Sequence, residues 1–429
     1  MTKQKVLIIT YYWPPAGGPG VQRWLKFVKY LPQFNIEPIV YCPENPVYPQ
    51  VDKSLLDQVS KDTIILKQPI SEPYKLASLL SKNTKTISKG IIPEEKKQGI
   101  IQKLMLYVRG NFFIPDARKK WVKPSVNYLS NYILDNKIDT IITSGPPHSL
   151  HLIGFKLKEQ FKDICWLADF RDPWTTIGYH KQLKLTKTSQ EKHKLLEKQV
   201  LNTADKIIVT SNNTKLEFEA ITSKPIIVIT NGYDKEKVKP VNLDKNFTIA
   251  HIGSLLSKRN PEILWRVLSD LIAMDDEFSA FFQLTLVGNV GESILKSIEK
   301  YKLTKYLNNV GYVSHIESIK YQKQSQLLLL IEIDSEDTKV IIPGKLFEYM
   351  ASQRPIIAIG PEATDVEVIL KETNTGDYFN YHDYDSLKSK IKQHFEAFKQ
   401  KNLNTNPIGL QKYSRLNLTK TLASLIAKE

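Results

Sequence analysis

The sequence predicts an α/β protein made of two parallel-sheet domains. Short apolar runs alternate with longer amphipathic ones, the pattern of strand–helix–strand units whose sheet is covered on both faces. The alternation pauses near residues 231–247 and then begins again. A chain of 429 residues is also too long for a single core.

The first apolar run, 6–10, reads as a strand. It is short, lacks a small-residue cleavage site and is followed by tyrosines, tryptophan and prolines, so it does not read as a signal peptide. A helix at 20–31 and strands at 38–42 and 64–66 follow. A buried strand at 140–143 leads into a helix at 149–161, then a strand at 165–169. A polar helix at 187–203 and strands at 206–210 and 226–229 close the series. The second series has strands at 248–252, 282–287, 309–310, 327–333 and 355–359. Its helices fall at 261–274, 294–301, 316–324 and 345–352, with amphipathic helices at 385–398 and 416–428. Two such halves describe two Rossmann-like domains facing across a cleft, without a short tandem repeat.

The segment 81–125 breaks the pattern. It interleaves lysines and arginines, among them Lys82, Lys85, Lys89, Lys96, Lys97, Arg109 and Lys120, with Ile91, Ile92, Leu104, Tyr107, Phe112 and Trp121. Basic residues among large apolar ones suit an anionic membrane surface, and equally a solvated helical insertion packed on the first domain. No nucleic-acid partner is expected, because no recognised binding motif accompanies the charge.

Composition narrows the classes. Hydrophobic residues at 41% and charged ones at 24% describe a globular protein, and no apolar run is long enough to span a bilayer. Cys42 and Cys165 are the two cysteines, too few for a disulfide framework and not spaced as a metal site, so a cytoplasmic location is expected. The net charge of +15, from 60 basic and 45 acidic residues, favours an anionic partner, although a general lysine bias gives the same sum.

Four loops at strand ends carry candidate chemistry. After the first strand, Gly17, Gly18 and Gly20 let the backbone approach a ligand; Arg23 stands where a dinucleotide fingerprint needs its third glycine, which disfavours a nicotinamide cofactor. Ser144-Gly145-Pro146-Pro147-His148-Ser149 ends a buried strand, where His148 can position a hydroxyl or phosphate, or else neighbour a capping Ser149; His151 is expected to pack. In Asp169-Phe170-Arg171-Asp172-Pro173-Trp174, either carboxylate can hold an acceptor hydroxyl and Trp174 can stack on a sugar; an ion pair stiffening the loop fits the same residues. Gly253-Ser254-Leu255-Leu256-Ser257-Lys258-Arg259 offers two cations to a diphosphate, or a solvated basic loop. Further on, Pro343-Gly344-Lys345-Leu346 opens a helix that carries Glu348 one turn in: a phosphate seat with a carboxylate beside it for vicinal hydroxyls, or an ordinary capped helix.

With these residues in view, the chain resembles family 4 glycosyltransferases of the GT-B fold, group 1 type. Asn231-Gly232-Tyr233-Asp234 is similar to that family's junction into its second domain, Gly253 to Arg259 to its phosphate loop, and Pro343 to Ala351 to its glutamate-bearing donor helix. The resemblance implies an acceptor domain at 1–235, a donor-nucleotide domain at 236–410 and a C-terminal helix at 411–429 crossing back to the first domain. It also implies retaining transfer from a nucleoside diphosphate sugar to a glycan or lipid-linked acceptor in cell-surface polysaccharide synthesis, without metal or further cofactor. By position, Glu348 binds the donor ribose, amides at Gly344, Lys345 and Leu346 hold the diphosphate, and Gly17, Gly18, Gly253, Ser254, Lys258 and Arg259 complete the donor site. His148, Asp169, Asp172 and Arg259 are the expected catalytic residues, and Arg171 and Trp174 the acceptor contacts.

The chain departs from that pattern at four places, one of them Arg259, with Lys258 beside it, where the family has a lysine. Val340 stands where the family's first glutamate falls, with Asp334, Glu336 and Asp337 nearby; Ser254 replaces an arginine, and Arg171 a histidine. Two rival readings share the architecture: a sugar-nucleotide epimerase, and a glycan- or lipid-binding scaffold without turnover. The expected setting is the cytoplasm, peripheral on the membrane's inner face.

Overall fold

The structure is a computed structural model that describes residues 3–72, 100–234 and 240–427. The chain divides into two compact units: Met1–Thr230 with Arg415–Glu429, and Asn231–Ser414. Of the basic–aromatic segment, the part up to residue 99, with Lys82, Lys85, Lys89, Ile91, Ile92, Lys96 and Lys97, lies outside the described residues.

The first unit holds strands β1 (Gln4–Thr10), β2 (Ile36–Pro43), β3 (Ile64–Gln68), β4 (Thr140–Gly145), β5 (Cys165–Phe170), β6 (Lys206–Val209) and β7 (Ile226–Val228). Their order is β3-β2-β1-β4-β5-β6-β7, parallel throughout. Successive side chains of a strand point to opposite faces, and here both faces are buried. Leu7, Ile9, Ile39, Tyr41 and Ile141 enter one core; Val6, Ile8, Val40 and Ile142 enter another. The chain starts at the centre, runs outward to β3 and returns on the other side of β1, so direction reverses between β1 and β4.

Gly18, at φ 94°, ends the loop after β1, and a proline in the first turn opens helix Pro19–Tyr30. The helix buries Val21, Trp24, Leu25 and Val28, an i, i+3, i+4, i+7 stripe. That stripe shares its core with Leu418, Leu422, Ala423 and Ile426 of helix Arg415–Ile426. The last helix of the sequence therefore belongs to the first unit.

The second unit holds β8 (Phe247–Ile252), β9 (Phe282–Val287), β10 (Leu307–Gly311), β11 (Leu327–Ile331), β12 (Ile356–Gly360) and β13 (Gly376–Asn380). The order is β10-β9-β8-β11-β12-β13, again parallel, and direction reverses between β8 and β11. Several elements go beyond the sequence pattern, among them helices Val122–Asn136, Asn212–Glu219, Asp276–Phe281 and Asp365–Thr373, and β13. β13 is an edge strand, only partly buried, so its residues lack the continuous apolar run of the inner strands. Helix Asp365–Thr373 is announced by Thr364, whose hydroxyl accepts from the Glu367 amide, and closed by Asn374 in the left-handed region.

Leu422→Ala removes a fully buried side chain from the core shared by the first and last helices. It is expected to destabilise the first unit by about 2–5 kcal/mol. Hydrogen exchange should accelerate across β1 and β2 and stay unchanged across β8 to β13.

Candidate functional site

In open parallel sheets ligands bind beyond the carboxyl ends of the strands, where strand order reverses. In the second unit that point lies beyond β8 and β11. Gly253 follows β8 at φ 117°, and Gly288 follows β9 at φ 115°. A Cβ on Gly288 would lie 2.8 Å from the carbonyl carbon of Gly253, and one on Gly253 would lie 2.6 Å from Lys345 Nζ. Both positions require glycine, for dihedral and for space.

Lys345, at the start of helix Lys345–Ala351, reaches back over this turn. Its Nζ lies 3.2 Å from His251 Nε2, and His251 Nδ1 lies 2.9 Å from the Leu329 carbonyl. A carbonyl only accepts, so Nδ1 carries the proton and Nε2 presents a lone pair to the lysine. Burial, with Lys345 beside it, holds His251 well below the usual histidine range. Burial and the Arg259 charge pull Lys345 down to about 7, against the attraction of Glu348. Arg259 ends the turn Ser257–Arg259. Its guanidinium makes no hydrogen bond or ion pair among the described residues, and its Nε is buried without a partner. Two half-buried cations thus sit within electrostatic reach of each other, and neither is bonded to a carboxylate among the described residues.

Around them stand two carboxylates. Glu348 Oε1 is 3.1 Å from His315 Nε2, and its Oε2 accepts from Gln322 Nε2 at 3.2 Å. Glu332, just past β11, is buried; its Oε2 accepts from the Tyr378 hydroxyl at 2.8 Å and from Thr364 at 3.4 Å. Burial pushes its carboxyl up to about 7. Further along this edge a cavity of about 300 Å³ is lined by Glu262, Ile263, Arg266, Tyr301, Tyr381 and His382.

In the first unit the reversal lies beyond β1 and β4. The glycine loop is pinned by the Gly17 amide donating to Gln50 O at 2.9 Å and the Asp52 amide to Pro15 O at 2.8 Å. A Cβ on Gly20 would lie 2.1 Å from Arg171 Nη1. Arg171 donates from Nε to Gly145 O at 3.3 Å and from Nη2 to Pro146 O, and lies over the Tyr12 ring. It therefore ties the β1, β4 and β5 loops together. Asp172, next to it, takes no hydrogen bond from the described residues, and burial raises its carboxyl above the usual range while Arg171 opposes the shift.

Three expected site residues have structural roles instead. Asp169 is fully buried and accepts from Arg23 Nη2 at 2.8 Å, Trp24 Nε1 at 2.9 Å and Ser144 Oγ at 2.8 Å, leaving no room for an acceptor hydroxyl. Trp174 is buried, donates to His193 Nδ1 at 3.1 Å and stacks on His148 at 4.9 Å, so its face is not open to a sugar. His148 is buried in that stack, and neither ring nitrogen has a partner. Burial holds it neutral, well below the usual histidine range. Ser149 does not cap its helix: its amide and hydroxyl donate to Asp116, at 2.8 and 2.9 Å. His151 packs as expected, stacked on Phe170 at 4.1 Å.

The expected amide cradle is only partly present. The Leu346 amide donates to Pro343 O at 3.0 Å and its side chain is core, which removes it from the donor set. Gly344 and Lys345 remain at the helix start, while Ser254 and Lys258 are exposed on the loop. Val340 is buried and apolar. Sequence reasoning passed over His251 and Glu332. Both carried a signal: each is a polar residue closing an apolar strand at the sheet's carboxyl edge.

No protein-family model matches the chain, and no curated protein does. Solved structures match along its whole length. HepE from Anabaena, in complex with UDP, superposes with a TM-score of 0.63 at 12% identity, covering 99% of this chain and 99% of that one. Sucrose-phosphate synthase from Thermosynechococcus elongatus gives 0.60 at 15%, covering 99% and 97%. A protein assigned as a UDP-N-acetylglucosamine 2-epimerase from Listeria monocytogenes gives 0.54 at 11%, covering 99% and 96%. At such identities the likeness is one of fold: the chain has the GT-B fold, with two parallel-sheet α/β domains.

Asp169→Asn leaves Arg23 buried without its counter-charge and is expected to destabilise the protein by about 3–5 kcal/mol. Asp172→Asn is expected to change stability by less than about 1 kcal/mol, since no bond is lost. Denaturant unfolding of the two variants side by side checks both.

Proposed function

We propose that this chain is a glycosyltransferase that moves a sugar from a nucleoside diphosphate sugar to a glycan or lipid-linked acceptor, with retention and without a metal. The supporting observation is the pair of cations at the β8–β11 reversal, Arg259 and Lys345, with no bonded carboxylate of the protein's own among the described residues. Such a pair costs free energy until an anion arrives, and a departing diphosphate is an anion whose charge grows as the glycosidic bond breaks. Lys258 stands on the same turn, exposed to solvent. Glu348, bonded to Gln322 and His315, is the carboxylate this reading assigns to the ribose hydroxyls. In the first unit Asp172 is the carboxylate free to hold the acceptor hydroxyl, and Arg171 holds the loops that frame it. HepE, of the same fold, is described in complex with UDP-glucose, and TarM of S. aureus with UDP and a glycan. Cell-surface polysaccharide synthesis is the setting this reading favours. A sugar-nucleotide epimerase is the second reading, supported by the fold likeness to the Listeria protein.

We include peripheral attachment at the inner face of the membrane in this reading. Among the described residues no helix is long and apolar enough to cross a bilayer. Helix Ile100–Phe112 packs Leu106 against Leu183 and exposes Leu104, Tyr107, Val108 and Phe112, an i, i+3, i+4, i+8 stripe. Lys103, Lys120 and Lys123 are exposed nearby in sequence, which suits an anionic surface.

Wild type should gain thermal stability with UDP, GDP or their sugars, and Arg259→Ala should lose most of that shift. In turnover, Arg259→Ala is expected to lower kcat about 10²–10³-fold. Activity that survives the substitution unchanged, or is abolished by EDTA, contradicts the proposal. Epimerised UDP-N-acetylglucosamine appearing by NMR without acceptor would favour the second reading. In co-sedimentation with phosphatidylserine vesicles, a Leu104→Glu/Phe112→Glu variant should be recovered far less than wild type. Equal recovery would remove this helix from the membrane contact.

A further inference from the structure

We propose that His251 is a positioning residue: it seats the Lys345 amine at the strand reversal so that binding a diphosphate there takes up a proton. The inference rests on the donor-site reading above and adds to it the proton that accompanies the donor.

The argument starts from the sheet. The β8–β11 ladder pairs Leu327 with Ile249 and Leu328 with Ala250, and ends there. One residue on, the two strands diverge, and the His251 ring takes over by donating Nδ1–H to the Leu329 carbonyl at 2.9 Å. That bond sets the tautomer and aims the Nε2 lone pair at Lys345 Nζ, 3.2 Å away. The ring is buried, and Gly253, lacking a Cβ, leaves the space that the lysine amine occupies. The amine is therefore held in one place.

The seat does not depend on the lysine's charge. An ammonium and a neutral amine both donate to a lone pair, so His251 accepts from either. The charged groups around the amine then decide its protonation. They are Arg259 from the turn after β8, which opposes a second positive charge, and Glu348 on the same helix, which favours it. Glu332, from the end of β11, faces Arg259. Without a ligand, burial and Arg259 prevail and the amine titrates near 7. A bound diphosphate reverses the sign of the local field and raises that value toward the ordinary lysine range. A group whose pKa rises on binding gains a proton. The gain is largest between the free and the bound value, and affinity falls as pH rises through that window.

Isothermal titration of wild type with UDP and with GDP at pH 8.0, in Tris and in HEPES, reads the proton number from the difference in heat. The expected uptake is roughly 0.9 proton, the share of a group of pKa near 7 that is unprotonated at that pH. Lys345→Arg, charged at every pH, should bind with an uptake below about 0.2. His251→Leu should weaken UDP at least tenfold and lower the uptake, while His251→Gln, which can donate and accept in the same places, should stay within about threefold. A structural role alone would lower the melting temperature and leave the proton number as it is. Binding of UDP to wild type without proton uptake overturns the inference and leaves the donor site standing, as does an uptake by Lys345→Arg equal to wild type. If neither UDP nor GDP binds, the donor reading fails and this inference falls with it.

Discussion

A guanidinium and a buried amine, neither bonded to a carboxylate among the described residues, are held together at the sheet edge around which the second unit's candidate site is built. The strands there run parallel and diverge at the reversal, which leaves a gap that the backbone ladder cannot fill. Glycines at 253 and 288 let two strand ends approach within contact of each other, and the gap beside them is closed by an imidazole and a lysine. Removing either glycine would push the turn away from the amine, because neither the space nor the dihedral angle suits another residue. The neighbouring elements follow from this. Helix Lys345–Ala351 is anchored by Leu346, Phe347, Tyr349 and Met350 in the core, and the Tyr349 hydroxyl bonds both the amide and the carbonyl of Ile252. The lysine's position is thus set by packing on one side and by the end of β8 on the other.

The first unit solves the same topological problem with different chemistry. Its reversal is lined by one arginine, Arg171, whose charge is spread over carbonyls of the β4 loop. Beneath it, the Arg23–Asp169 pair is completely internal and hydrogen-bonded on several sides, which is what makes a buried ion pair tolerable. The histidines of this region, His148, His151, His180 and His193, are all buried and all held below the usual range by burial. His148 and His151 pack as neutral rings against Phe170 and Trp174, His193 accepts from Trp174 Nε1, and His180 meets the His193 ring edge-on. Fewer polar residues of this motif are therefore without a hydrogen-bond partner than its composition suggests, and Asp172 is one of them among the described residues.

Much of the fold was legible in the sequence, because strands buried on both faces must be continuously apolar. The runs that became β1, β4, β8 and β11 could hardly be anything else. The edge strand β13 and helix Asp365–Thr373 were not legible in the same way, since partial burial leaves polar residues in the pattern. The glycines and cations lie at the strand ends where the sequence pattern puts them, whereas Asp169, Trp174 and His148 are engaged in the interior. Residue type and strand-end position are shared by ligand contacts and by interior polar networks. What separates them is the partner, and the partners Arg23, Trp24 and Ser144 come from other parts of the chain. His251 escaped notice for the converse reason: its partner Lys345 is 94 residues away.

The helix Arg415–Ile426, at the far end of the chain, completes the hydrophobic core begun by β1. The first unit is consequently discontinuous in sequence, and a ribosome must make the whole second unit before the first can close its interior. The carboxy-terminal half, an uninterrupted stretch, has all its strands available earlier. Maturation should therefore begin in the second unit, with the first the later of the two to become fully native.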